Sequence, residues 1–198
     1  MKKSPPLLPA DQRLRQGAAL FLGSLLVFFL ATIILYFLYA YWRRDEPQAE
    51  LVLPSSLLFS TFSLLGISLL VHLATQWVRR SRRIATAIAL ATSTVLATAF
   101  MVVQGYAIWQ IMETPLMRSS LSKGVGGMIV ILAILHALHV AGGVVALGIV
   151  AVRSGQGSYD HERHGAVDFA AAYWHFLDGV WLLMLLAFWM TTEGFAWI

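Results

Sequence analysis

Five stretches of this chain, at about 17–41, 54–78, 84–111, 125–152 and 169–190, are apolar over more than the roughly 20 residues a helix needs to cross a bilayer. No water reaches backbone N–H and C=O groups in hydrocarbon, so such a segment crosses as a helix that satisfies its own backbone. The expected fold is all-α: a polytopic membrane protein, a five-transmembrane-helix bundle. Charged residues are 12% of the sequence, against about 25% in soluble domains. The connections are about a dozen residues at most, too short for a soluble domain. The first stretch is not a secretory leader, because its apolar core exceeds the usual length of about 7–15 residues and Tyr41-Trp42-Arg43-Arg44 is no cleavage site. Residues 1–14 read as an N-terminal cytoplasmic tail and 15–198 as a single transmembrane domain.

Lysine and arginine set the orientation. With the N-terminus inside, the inner flanks hold ten of them and the outer flanks four, Arg43, Arg44, Arg118 and Lys123. The positive-inside rule therefore favours an inner N-terminus and an outer C-terminus. The basic pI of about 9.7 thus reflects topology, and no nucleic-acid partner is expected. The densest basic run, Arg79, Arg80, Arg82 and Arg83, suits lipid headgroups or a neighbouring subunit, with His72 nearby on the same segment; topology alone would also account for it. With no cysteine, thiol catalysis, disulfides and thiolate-bound metals are ruled out.

Small residues let membrane helices approach closely. Ala85, Ala89, Ser93 and Ala97 recur every four residues on the third segment, with Gly105 read as their continuation. Ala133, Ala137 and Ala141 do the same on the fourth, and Ser56, Ser60, Leu64, Ser68, His72 and Gln76 on the second. All three stripes are expected to face protein.

Few ionisable groups lie deep: His72, His136, His139, His175 and Asp178. An aspartate at mid-membrane costs about 2.5–3.5 kcal/mol, so it needs a partner, water or a proton. On the last segment Trp174, His175, Asp178 and Trp181 fall within an arc of about 120°. On the fourth, His136 and His139 share a face. Asp178 is expected to accept a hydrogen bond from one of these histidines or from an indole. Three readings of the cluster stay open: a structural fastening between helices, a proton or ion path, and a histidine-ligated haem b. No catalytic residue, cofactor ligand or metal ligand is assigned.

Leu135–Gly143, LHALHVAGG, and Ala172–Met184, AYWHFLDGVWLLM, resemble the last two helices of subunit III of the haem-copper terminal oxidases. His136, His139, Val140 and Gly143 match the first pattern; Tyr173, Trp174, His175, Phe176, Asp178 and Trp181 match the second. Leu53-Pro54, the arginine run and Gln104 keep the family's order. The resemblance implies the short five-helix bacterial form, a multi-pass protein of the plasma membrane that lacks the first two helices of the longer form. It implies an auxiliary subunit with no cofactor of its own, packed on subunit I (and subunit II), which would carry haem and copper and reduce oxygen to water. It also implies bound phospholipid and support of sustained proton uptake. Two family glutamates are absent, at Leu25 and Ala107, so roles ascribed to them do not transfer. A subunit III-like protein of a nitric oxide reductase and a small haem b protein are the alternatives.

Overall fold

The computed structural model describes residues 9–43, 56–113 and 124–192. They form five helices and no strand: α1 (Pro9–Trp42), α2 (Ser56–Arg79), α3 (Arg83–Glu113), α4 (Val125–Gly155) and α5 (Gly165–Thr191). All five are long and apolar enough to span a membrane, so the all-α, five-span architecture expected from the sequence is the observed one. Leu53-Pro54 and the flanks bearing Arg44, Arg118, Lys123 and Trp197 lie outside the described residues.

α3 packs on α2 and α4, and α5 on α2 and α4, so α2 to α5 close a four-helix ring; α1 lies outside it, against α5 and α4. The buried positions explain this geometry. On α3 a line of them runs Thr86, Leu90, Ser93, Ala97, Phe100, Gln104 and Ala107, with Ala89 beside it. On α4 the line runs His136, Val140, Gly143, Leu147, Val150 and Ser154. Steps of three and four alternate, which is the 3.5-residue repeat of helices crossing at a shallow left-handed angle. The four-residue stripes are corrected accordingly. Each step of four advances about 40° around a helix, so a strict stripe drifts off the contact. Ala89, Ser93 and Ala97 are buried, but Ala85 is half-buried and Gly105 exposed. Ala133 is buried, while Ala137 and Ala141 are only half-buried. On α2 the buried line is Leu57, Leu64, Ile67, Val71, Ala74 and Val78, whereas His72 and Gln76 are exposed.

α1 starts at Pro9, within the expected tail. Proline suits a first helical position, since its φ is preset and its missing N–H has no partner there anyway. Of the α1 residues whose burial is described, only Phe29, Ile33, Tyr36 and Ala40 are buried in the core.

Two helix ends at the arginine-rich side close alike. After α2, Arg82 N–H donates to Trp77 O and Ser81 N–H to Val78 O, both at 3.0 Å, with Ser81 at φ 56°. After α4, Ser158 N–H donates to Arg153 O and Gly157 N–H to Ser154 O, both at 3.0 Å, with Gly157 at φ 75°. Both are Schellman closures with a left-handed residue just past the helix.

Candidate functional site

The interior of the ring is apolar except for a few groups that the helices bring to a common level. Gly143 of α4 lies so close to α5 that a Cβ there would meet Leu177 Cδ1 at 3.1 Å and Tyr173 Cε1 at 3.3 Å. This contact places the two helices in register, and two turns further His136 stacks on Trp181 with centroids 5.5 Å apart. Phe29 of α1 stands edge-on to His136 and His139, at 6.1 and 5.0 Å. Trp181 Nε1 donates to Thr61 Oγ1 of α2 at 3.0 Å, and Tyr173 OH donates to His139 O at 3.0 Å. Thr61 was not singled out in the sequence; a threonine seven residues before Ser68 is the signal that was there to use.

Asp178 is 6% exposed and takes none of the bonds expected for it. His139 Nδ1 donates to Leu135 O of its own helix at 2.7 Å, and the Trp181 indole goes to Thr61. His136, the Trp174 indole and both Asp178 oxygens make no hydrogen bond among the described residues, and neither do Ser93 and Gln104 of α3. His175 Nδ1, on the same helix, lies 3.9 Å from Asp178 Oδ2. That nitrogen lies 2.6 Å from Ser68 Oγ of α2. The polar contact beside Asp178 thus runs α5 to α2, through His175 and Ser68, and neither His136 nor His139 of α4 bonds the carboxyl.

The α2–α5 seam continues toward the arginine-rich end. The rings of His72 and His175 are 6.2 Å apart, and Gln76 Nε2 donates to His72 Nε2 at 3.0 Å. Arg79 Nη2 donates to both oxygens of Asp168 at 3.1 Å, and His164 Nδ1 lies 2.8 Å from Asp168 Oδ2. In the turn before α5, Asp160 Oδ1 accepts from Arg163 N–H at 2.9 Å and Glu162 N–H at 3.0 Å. Those backbone donors, with His161 and Arg83 adding a smaller pull, hold the Asp160 carboxyl below its ordinary range. Of the arginine run, Arg79 pairs with Asp168, and Arg83 lies 3.9 Å from Asp160; Arg80 and Arg82 are exposed.

The family model for cytochrome c oxidase subunit III matches residues 8–192, which includes every residue of this interior and seam. The chain belongs to the cytochrome c oxidase subunit III family. Among curated relatives, "Cytochrome c oxidase subunit 3" of Salmo salar is 30% identical over 193 residues, covering 90% of this chain and 70% of the relative. The protein of that name from Marchantia polymorpha is 30% identical over 186 residues, covering 88% and 67%. The one from Synechocystis sp. is 26% identical over 179 residues, covering 86% and 72%.

As a member of the subunit III family the chain is a multi-pass membrane protein, and two of its positions depart from the pattern that the resemblance led us to expect. Ala107 is fully buried on the inner line of α3, so a carboxylate there would point into the ring. Leu25 is half-buried on α1. His136 does not suit a haem: it is flanked by Trp181 and Phe29, both of which a porphyrin would have to displace. Nor do any three of the His, Asp and Glu side chains among the described residues converge as metal ligands would. Between α1 and α5 lies an apolar cleft of about 230 Å³, lined mainly by Leu26, Phe29, Leu30, Ile33, Phe176 and Leu183, with His175 at its edge.

Proposed function

We propose that this chain is the auxiliary, cofactor-free subunit III of a proton-pumping haem-copper respiratory oxidase in a bacterial plasma membrane. Haem, copper and oxygen reduction belong to subunits I and II. The carrying observation is the family match across residues 8–192. The exposed apolar flank of α1 fits the role, since Leu20, Val27, Ile34 and Leu35 are each more than half exposed, a surface made for lipid or for another subunit. The ten-to-four distribution of basic residues supports an inner N-terminus and an outer C-terminus. In this reading Trp174, His175, Asp178 and Trp181 of α5, with His136 and His139 of α4, fasten the bundle that braces the catalytic subunit. A phospholipid acyl chain in the α1–α5 cleft, with its headgroup near Arg79, Arg80, Arg82 and Arg83 or His72, would account for the lipid dependence that the role implies. Sustained proton uptake by the partner then depends on the brace staying in place.

The test is purification of the tagged chain from its native membrane in mild detergent, followed by intact-complex mass spectrometry. A copper-containing oxidase catalytic subunit and retained phospholipid are expected. Recovery of the chain alone, or with a copper-free nitric oxide reductase, would overturn the reading.

A further inference from the structure

The α2–α5 seam has a regularity that bracing does not call for. Asp168 and Asp178 are ten residues apart on α5, and Arg79 and Ser68 eleven apart on α2, so the pairs span about 15 and about 16.5 Å along their helices. Each is close to half the hydrocarbon thickness of about 30 Å. Polar side chains occupy the interval at short steps. From the boundary pair Arg79–Asp168, Gln76 comes about 4.5 Å deeper and His72 about 10.5 Å deeper, with His175 level with His72. Ser68 and Asp178 end the series. Contacts join the series from Gln76 inward: Gln76 to His72 at 3.0 Å, His72 to His175 ring to ring at 6.2 Å, His175 to Ser68 at 2.6 Å, and His175 to Asp178 at 3.9 Å.

Three observations distinguish this row from ordinary helix packing. Asp178 is buried and both its oxygens lack a hydrogen bond, so the group at the end of the row has acceptor capacity that the bundle leaves unused. His72 and Gln76 are exposed, and His175 is 39% exposed at its side chain; side chains placed only for packing would turn apolar faces outward in lipid. The remaining ionisable groups near this depth are His136 and His139 of α4, and the membrane portions of α1 and α3 carry no carboxyl, imidazole or basic side chain.

We infer that Asp178 is an internal proton-binding site that exchanges with water at the arginine-rich end of the bundle along the His72–His175–Ser68 side of the α2–α5 seam. The step balances without a redox partner. His175 accepts a proton from water or His72 at Nε2, and gives up the one on Nδ1 to an Asp178 oxygen, directly or through the Ser68 hydroxyl. The imidazole is left neutral in the other tautomer and returns by ring rotation. The net change is one proton moved from water to a carboxylate. The inference uses only residues of this chain and does not depend on which catalytic subunit it accompanies.

The experiment is infrared difference spectroscopy on the intact membrane complex, perfused alternately with H₂O and D₂O buffers. A protonated-carboxyl C=O band that disappears in Asp178→Asn identifies the site. The band is expected to shift on exchange to D₂O within the perfusion time, and the shift should slow by about a hundredfold in His175→Phe, the loss typical of removing a positioned proton-transfer group. Should His175→Phe fail to assemble, Ser68→Ala combined with His72→Phe interrupts the same row at half-exposed and exposed positions and should slow the shift in the same direction. Absence of an Asp178 band at any accessible pH, a band that never shifts, or equally fast shifts in wild type and the interrupted variants would each overturn the inference. The copurification test above can fail or succeed independently of all of these.

Discussion

At the scale of single residues, Asp178 is where burial and charge conflict most sharply. Its carboxyl has no neighbour that the fold requires to be charged, so Asp178→Asn keeps the shape and removes only the acid. We expect this variant to stay in the complex through purification and to leave the initial oxidase rate near wild type. An immediate loss of electron transfer in a normally assembled complex would contradict the structural role. Ser81 has a different problem. A non-glycine residue in the left-handed region costs roughly 1–2 kcal/mol, and Ser81 sits there at φ 56°. Ser81→Gly should stabilise the α2–α3 turn by about 1 kcal/mol, read as a higher thermal midpoint of the purified complex. Asp160 gives a pH signature. Its folded carboxyl titrates below the ordinary value of about 3.9, because it is held by the Arg163 and Glu162 backbone N–H groups. The contribution is therefore complete above that ordinary value and lost as pH falls through the lowered one. Hydrogen exchange at the Glu162 and Arg163 amides, corrected for intrinsic rate, should lose protection over that acid range in the wild type and show no such step in Asp160→Asn.

At the scale of elements, the α4–α5 contact depends on one missing side chain. An alanine at Gly143 would press on Leu177 and on Tyr173, whose hydroxyl is tied to His139 O. Gly143→Ala should therefore cost about 1–3 kcal/mol through overpacking. Gly142→Ala meets only the Tyr173 hydroxyl, at an ordinary 3.7 Å, and should stay within about 0.5 kcal/mol. Thermal stability of the complex carrying each variant checks the contrast; equal effects would mean that the close approach is not what holds these helices. Both glycines stood in the sequence motif, but which of the two faces α5 was not legible there. A four-residue stripe and a 3.5-residue line share their first members and part company within a few turns, as Gly105 shows by ending up exposed.

At the scale of the whole molecule, an outer helix laid on a closed ring exposes apolar surface with no counterpart in a protein that works alone in water. Membership of the subunit III family places that surface in a membrane, and the proposed brace role gives part of it to a partner. The same view bears on the haem alternative. His136 is enclosed by aromatic rings and His175 is engaged with Ser68, so the haem spectrum of the purified complex should keep its amplitude, per catalytic subunit, in His136→Ala and His175→Ala. A reduced Soret band lost in both variants would show that this chain carries haem.

The sequence by itself determined the number of spans, the helical class and the family, because these rest on properties that local composition carries: the length of apolar runs, the demand of lipid for self-satisfied backbones, and two motifs with many fixed positions. It also marked His136, His139, Trp174, His175, Asp178 and Trp181 as unusual, because polar groups stand out against hydrocarbon. Only the tertiary structure decided which of them meet. Asp178 came to lie beside His175, which bonds Ser68, rather than against His136 or His139, and Trp181 turned to Thr61, because partner choice depends on the rotation and axial register of separate helices. Those are fixed by close contacts such as Gly143 against Leu177, to which residues distant in the chain contribute and which no single segment encodes.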